Sequence, residues 1–251
     1  MNSDKYLFSD FTIDNYVRLL KQAKSRYKFA SFNDQITPGK IFLRHDLDIS
    51  IQAAEKMALV EQELQISSTF FVLIHCEFYN ALDKSNVLSL KNIMAMGHKI
   101  GLHFDVHFYD IKKDTELENH ILKEAEILES VLGINVDTFS FHNNNDFTLS
   151  CKQEKIGGLI NVYSSDFKEN IGYCSDSSGY WRYERLENVI LESRYEILQV
   201  LIHPCWWQNE ILPPRQRIFN LIDQRSMYLK SSWDKTLALF GEKNIDWHEV
   251  L

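Results

Sequence analysis

The run Thr69-Phe70-Phe71-Val72-Leu73-Ile74 carries an apolar side chain at every position after the first. It has no polar face to offer water, so it reads as a strand buried on both sides. Strands of this kind belong to parallel sheets whose two faces are covered by helices. The chain on either side repeats the alternation that such a sheet needs. Upstream, Ile41–Arg44 reads as a strand, and Ser50 caps a helix through about Glu63 with Ala53, Met57 and Val60 facing inward. Ile13–Ala23 reads as an earlier helix with Thr12 as its cap. Downstream, Val87–Met96 reads as a helix stopped by Gly97, and Lys99–His103 as a short strand. Asp114 opens a long helix with Ile121, Ala125, Leu128 and Leu132 in register, ended by Gly133. Thr138–Phe141 and Ile197–His203 are further strands, and Pro213-Pro214 precedes a terminal helical region through about Phe240.

Strand ends near 44, 74, 103 and 141 are separated by one βα unit each time, which implies parallel strands with crossover helices. The 251 residues contain no Gly, Ser or Pro linker, so residues 1–251 read as one α/β domain, a (β/α) barrel by size. The stretch 143–196 is rich in Asn, Ser, Asp, Gly and Tyr; it reads as loop-rich and able to line a site. The charge, 27 basic minus 35 acidic residues or −8, argues against a general nucleic-acid binder. Four cysteines without a CxxC pair argue against a zinc knuckle and read as free thiols. The start lacks a basic segment followed by a long apolar one, and no apolar run is long enough for a bilayer. These features predict a cytoplasmic protein with no membrane span.

Polar residues gather where the predicted strands end, which is the edge where parallel α/β folds build their sites. In Arg44-His45-Asp46-Leu47-Asp48 the two aspartates fall on one side of an extended chain, one suited to hold a cation and the other to act as base. The alternative is that Asp48 caps the helix near Ser50. His103 and His107 are four apart and share a side on either a strand or a helix, so they could hold one Zn²⁺ or be two partly buried histidines. His98 follows Gly97 and reads as structural. His142 and His203 each close a β-rich run, and Trp206 and Trp207 follow directly as a sugar-stacking wall or as core.

Taken in order, these segments resemble the NodB-type polysaccharide deacetylases, the family 4 carbohydrate esterases, in a divergent form. Arg44-His45-Asp46-Leu47-Asp48 is similar to the family's Thr-Phe-Asp-Asp-Gly segment in its Asp-x-Asp form. Ser68-Thr69-Phe70-Phe71-Val72 is similar to the Ala-Thr-Phe-Phe-Val strand, and Gly97-His98-Lys99-Ile100-Gly101-Leu102-His103 to Gly-His-Glu-Ile-Gly-x-His. Leu201-Ile202-His203 is similar to the late Leu-x-His segment, so the resemblance spans roughly 40–205. It implies a deformed (β/α) barrel with a divalent metal, usually Zn²⁺. Asp48, His103 and His107 would be its ligands, Asp46 the base and His203 the acid.

The family's third motif carries an Arg that orients the base. The matching stretch here, Phe139-Ser140-Phe141-His142-Asn143, has none. His142 is the candidate replacement, Asp176 a stand-in for the buttressing aspartate, and Arg182 a source of the lost cation. The implied activity is hydrolysis of an N-acyl group, N-acetyl first of all, on an amino sugar; the start without an export signal points to a nucleotide sugar or a glycan precursor. A hydrolase of small amides or ureides and a non-catalytic carbohydrate-binding barrel are the alternatives.

Overall fold

The computed structural model describes residues 2–169 and 171–248. Its sheet has nine strands: β1 Lys28–Ala30, β2 Lys40–Leu47, β3 Thr69–Leu73, β4 Lys99–Phe104, β5 Thr138–Phe141, β6 Lys155–Ile156, β7 Leu159–Asn161, β8 Gly172–Ser175 and β9 Leu198–Ile202. The order is β6-β7-β5-β4-β3-β2-β9-β8. Every pairing is parallel except β6 with β7. The covering helices are α1 Ile13–Lys24, α2 Ile51–Glu63, α3 Lys84–Ala95, α4 Asp114–Leu132, α5 Leu186–Glu192 and α6 Pro214–Leu239.

This is an open, deformed (β/α) barrel: β8 and β6 end the path, and no pairing joins them among the described residues. The strand β2 carries three neighbours. Strand β9 pairs along one edge from Ile41 to His45, while β1 and β3 pair with residues 40–42 and 44–47 in succession. A strand has only two edges, so β1 and β3 share the other one.

Alternation along the central strands sorts their side chains onto two faces. Ile41 and Leu43 of β2, with Leu198, Val200 and Ile202 of β9, pack outward against Tyr16, Leu19 and Leu20 of α1 and Val189 and Ile190 of α5. Phe42, Arg44 and Asp46 point the other way, into the barrel. There Phe42 meets Phe32 and Phe167 at ring distances of 5.6 and 5.2 Å. At Gly101 of β4 the ring of Phe71 crosses so closely that a Cβ would lie 2.6 Å from Phe71 Cε1 and 2.9 Å from Thr138 Oγ1. Any side chain there would push β3 and β5 away from β4.

The helix limits follow local chemistry. Ser50 Oγ accepts the Ala53 N–H at 3.2 Å and starts α2, so the cap is Ser50 and not Asp48. Gly133, in the left-handed region at φ 73°, ends α4. The stretch 143–196 is more ordered than its composition suggests, since it contributes β6, β7, β8 and α5. Their periodicity is hidden because each is only two to seven residues long. Cys76, Cys174 and Cys205 are free thiols. No helix among the described residues is long and apolar enough to cross a membrane.

Candidate active site

The C-terminal ends of β2, β4, β5 and β9 bring Asp46, Asp48, His103, His142 and His203 to the wall of one cavity of about 1140 Å³. Asp46 and Asp48 lie on the same side, as period-two alternation predicts, and both reach His103. His103 Nε2 is 3.2 Å from Asp48 Oδ1 and 3.8 Å from Asp46 Oδ2. The register places His103 directly opposite Ser140 on β5, where its Nδ1 is 2.7 Å from Ser140 Oγ. Ser140 donates its single hydroxyl proton toward Asp46 Oδ1 at 3.4 Å. Its oxygen must therefore accept from His103 Nδ1–H, which leaves a lone pair on Nε2.

That lone pair faces a carboxylate oxygen with no hydrogen-bond donor of its own, since Asp48 Oδ1 is buried and unpartnered. Two acceptors this close need a proton or a metal ion between them. His142 supplies a third donor: its Nδ1 is 3.1 Å from Asp105 Oδ2, leaving Nε2 free, and its ring lies 5.1 Å from that of His103. One ligand atom each from Asp48, His103 and His142 lie within 4.8 Å of one another. Imidazoles fixed through the second nitrogen, beside a carboxylate, are a donor set suited to Zn²⁺. Burial opposes charge on Asp48, but His103, His203 and His142 hold its carboxyl well below the usual range.

His107 is not part of this group, contrary to the resemblance. Strand β4 ends at Phe104 and the chain turns through 106–110, so the side shared by residues four apart is lost. His107 is exposed, its N–H donates to Asp105 Oδ1 at 2.8 Å, and its Nε2 is 2.8 Å from the Asn143 carbonyl oxygen. His142 occupies the third corner instead of replacing an arginine.

The cation beside Asp46 is Arg44, which the sequence reading passed over. It is fully buried and donates to Asp46 Oδ2 at 3.1 Å, Tyr163 Oη at 2.7 Å and Gln199 Oε1 at 3.2 Å. Burial opposes its charge, yet Asp46 and then Tyr163 keep the guanidinium firmly protonated. The signal was present: Arg44 and Asp46 are two apart on one strand, and Gln199 is a lone polar residue in Leu-Gln-Val-Leu-Ile. Nothing local pointed to Tyr163. Arg182, by contrast, is exposed on the cavity wall and makes no ion pair among the described residues.

Asp176 is buried and buttresses a histidine instead of an arginine. Its Oδ1 lies 2.6 Å from His203 Nδ1, and its Oδ2 accepts from Trp207 Nε1 at 2.8 Å. Trp207 is a core residue, packed at 4.9 Å from Tyr16 and 5.3 Å from Phe11. It therefore forms no wall for a ligand. Trp206 does line the cavity, and its Nε1–H has no partner. His98 is structural as expected, with Nε2 3.0 Å from the Ala58 carbonyl oxygen and Nδ1 3.2 Å from the Ser68 nitrogen.

No family model and no curated protein match the chain. Solved structures similar to it include the peptidoglycan deacetylase PdaC from Bacillus subtilis, at 14% identity over 83% of this chain and 98% of that one, with a TM-score of 0.43. A family 4 carbohydrate esterase from Bacillus anthracis is 18% identical over 85% of this chain and 86% of that one, with a TM-score of 0.44. A CE4 family pseudoenzyme, also from Bacillus anthracis, is 14% identical over 76% of this chain and 63% of that one, with a TM-score of 0.42.

Proposed function

We propose that this protein is a metal-dependent deacylase that hydrolyses an N-acyl group, most simply N-acetyl, on an amino sugar. The observation that carries this reading is the pair of aspartates around His103 Nε2, one held by Arg44 and Ser140 and the other lacking a donor. Division of labour between two carboxylates is what hydrolysis with a bound cation requires. Asp48, His103 and His142 would hold the ion. A divalent cation there supplies Lewis acidity, polarising the acyl carbonyl and acidifying the attacking water.

The remaining work falls to the chain's own groups. Asp46 takes the proton of the water, with Arg44 and Ser140 fixing the orientation of its carboxylate. His203 gives a proton from Nε2 to the departing nitrogen, because Nδ1 is committed to Asp176. Trp206 offers an indole face to a sugar ring. A cavity of about 1140 Å³ favours a sugar-sized or larger substrate over a small amide.

The test is metal analysis together with acetate release from a panel of N-acetylated sugars and small amides. About one divalent ion per chain and release from sugars are expected. Asp46→Asn should keep the ion and lose roughly 10²–10⁴-fold in kcat, the usual worth of a general base. Turnover of small amides alone would transfer the reading to that class. An Asp46→Asn protein emptied of metal, with Asp48→Asn still loaded, would exchange the roles of the two aspartates.

A further inference from the structure

Among the described residues of α6, 26 in all, only Arg217 is buried, and it donates to the Phe8 carbonyl oxygen at 3.1 Å. Beyond this anchor the helix carries an apolar stripe. Phe219, Ile222, Leu229 and Trp233 are exposed, and with Ser226 and Thr236 they follow the alternating three-and-four spacing that keeps side chains on one face. In heptad terms Phe219, Ser226 and Trp233 take position a, and Ile222, Leu229 and Thr236 take position d. The Thr236 hydroxyl donates to the Ser232 carbonyl oxygen at 2.8 Å, so it brings no unmet donor to this face. One flank of the stripe, position e, holds Asp223 and Lys230. Both are exposed, and among the described residues neither makes an ion pair or a hydrogen bond. The other flank, position g, holds Arg225, 3.9 Å from Asp83. On that side Ile222, Ser226 and Leu229 line a groove of about 570 Å³ between the helix and residues 76–80.

We propose that this stripe docks on the same stripe of a second copy of the chain, with the two helices antiparallel. Charge fixes the direction. In an antiparallel pair position e faces position e, which sets Asp223 against Lys230 of the second copy, and the two-fold axis repeats the attraction. In a parallel pair position g faces position e of the next heptad, which would set Arg225 against Lys230 and repeat a repulsion. Side-chain size agrees. Antiparallel layers pair a with d, so the register that aligns Asp223 with Lys230 also puts Phe219 on Thr236, Leu229 on Ser226 and Trp233 on Ile222, each from opposite copies. The first two layers match a large side chain with a small one. The third joins two large ones, and there the groove beside Ile222 leaves room for the indole. Parallel layers would instead stack Trp233 on Trp233 and Ser226 on Ser226.

The experiment is sedimentation equilibrium of the full chain, which should show a reversible dimer. Leu229→Glu and Trp233→Glu change exposed positions, so both should keep the circular dichroism of the parent while raising the dimer Kd at least about 100-fold. Asp223→Lys or Lys230→Asp alone should raise it about ten-fold, because each turns two attractive pairs into repulsive ones. The two exchanges combined in one chain should restore the parental Kd. A chain that stays monomeric up to about 100 µM, or a dimer indifferent to both glutamate variants, would overturn the proposal. A combined exchange that fails to restore the Kd would overturn the antiparallel pairing. A monomer that sediments with phosphatidylcholine–phosphatidylserine vesicles, and is released from them by Trp233→Glu, would give the stripe to a membrane surface and overturn the second copy as its occupant.

Discussion

His203 is tied to Asp176 through both its ring and its backbone. Asp176 Oδ1 is 2.6 Å from His203 Nδ1, and the His203 N–H is 3.0 Å from each carboxylate oxygen. Burial alone would lower the pKa of this imidazole, but Asp176, followed by Asp48 and Asp46, pushes it up to about 9. The proton meant for the leaving nitrogen is therefore already present near neutral pH.

Amide hydrolysis should accordingly fall as pH rises through about 9. In Asp176→Asn this limb should move towards the ordinary histidine value of about 6.5. An ester with a good leaving group should be spared in both proteins, since it needs no proton on departure. The same linkage acts on stability: a pKa raised by folding stabilises fully below about 6.5, and that contribution is lost as pH rises through the folded value. An alkaline limb that stays in place in Asp176→Asn would show that another group titrates.

Metal retention should follow the geometry around Asp48. His103→Ala or His142→Ala should remove most of the bound ion, Asp48→Asn should weaken it, and His107→Ala should keep it. Elemental analysis of the purified variants measures this directly. A loaded His142→Ala beside an empty His107→Ala would return the site to the pair four residues apart.

The two adjacent tryptophans should separate cleanly. Trp207→Ala removes a buried ring and a donor to Asp176, so it should cost about 3–5 kcal/mol of stability. Trp206→Ala should leave the melting temperature near that of the parent and raise KM for a sugar substrate more than it lowers kcat. Thermal melts and steady-state kinetics decide this, and a Trp206→Ala protein with parental KM removes Trp206 from the substrate wall.

Glu124 of α4 offers a test away from the catalytic centre. It is 1% exposed, with Oε1 3.3 Å from His75 Nε2. Burial pushes its carboxyl up to about 8, with Tyr109 opposing and Asp105 assisting. The folded protein thus holds a proton that the unfolded chain releases near 4.5, and stability declines as pH rises from there through about 8. Glu124→Gln should flatten that decline and melt higher than the parent on the alkaline side. Parallel melting curves across this range would contradict it.

The sequence by itself determined the longer strands and helices, though not β1, β6, β7, β8 or α5, and it gathered polar residues where those strands end. Apolar runs marked β3 and β9, Ser50 and Gly133 marked helix limits, and the period of two put Asp46 and Asp48 on one side. These are local effects, set by side-chain alternation and backbone capping within a few residues. Tertiary structure alone decided which histidine joins Asp48 and His103, because the chain leaves the sheet after Phe104 while β5 lies alongside β4 and delivers His142. It also decided that Asp46 is held by Arg44 and Ser140, that Arg44 is anchored in turn by Tyr163 and Gln199, and that Asp176 serves His203 and Trp207. Those contacts join strands and loops up to 155 residues apart. Sequence spacing can say which side of a strand a residue occupies, but the partner across the barrel depends on strand order and register, which only the packed sheet sets.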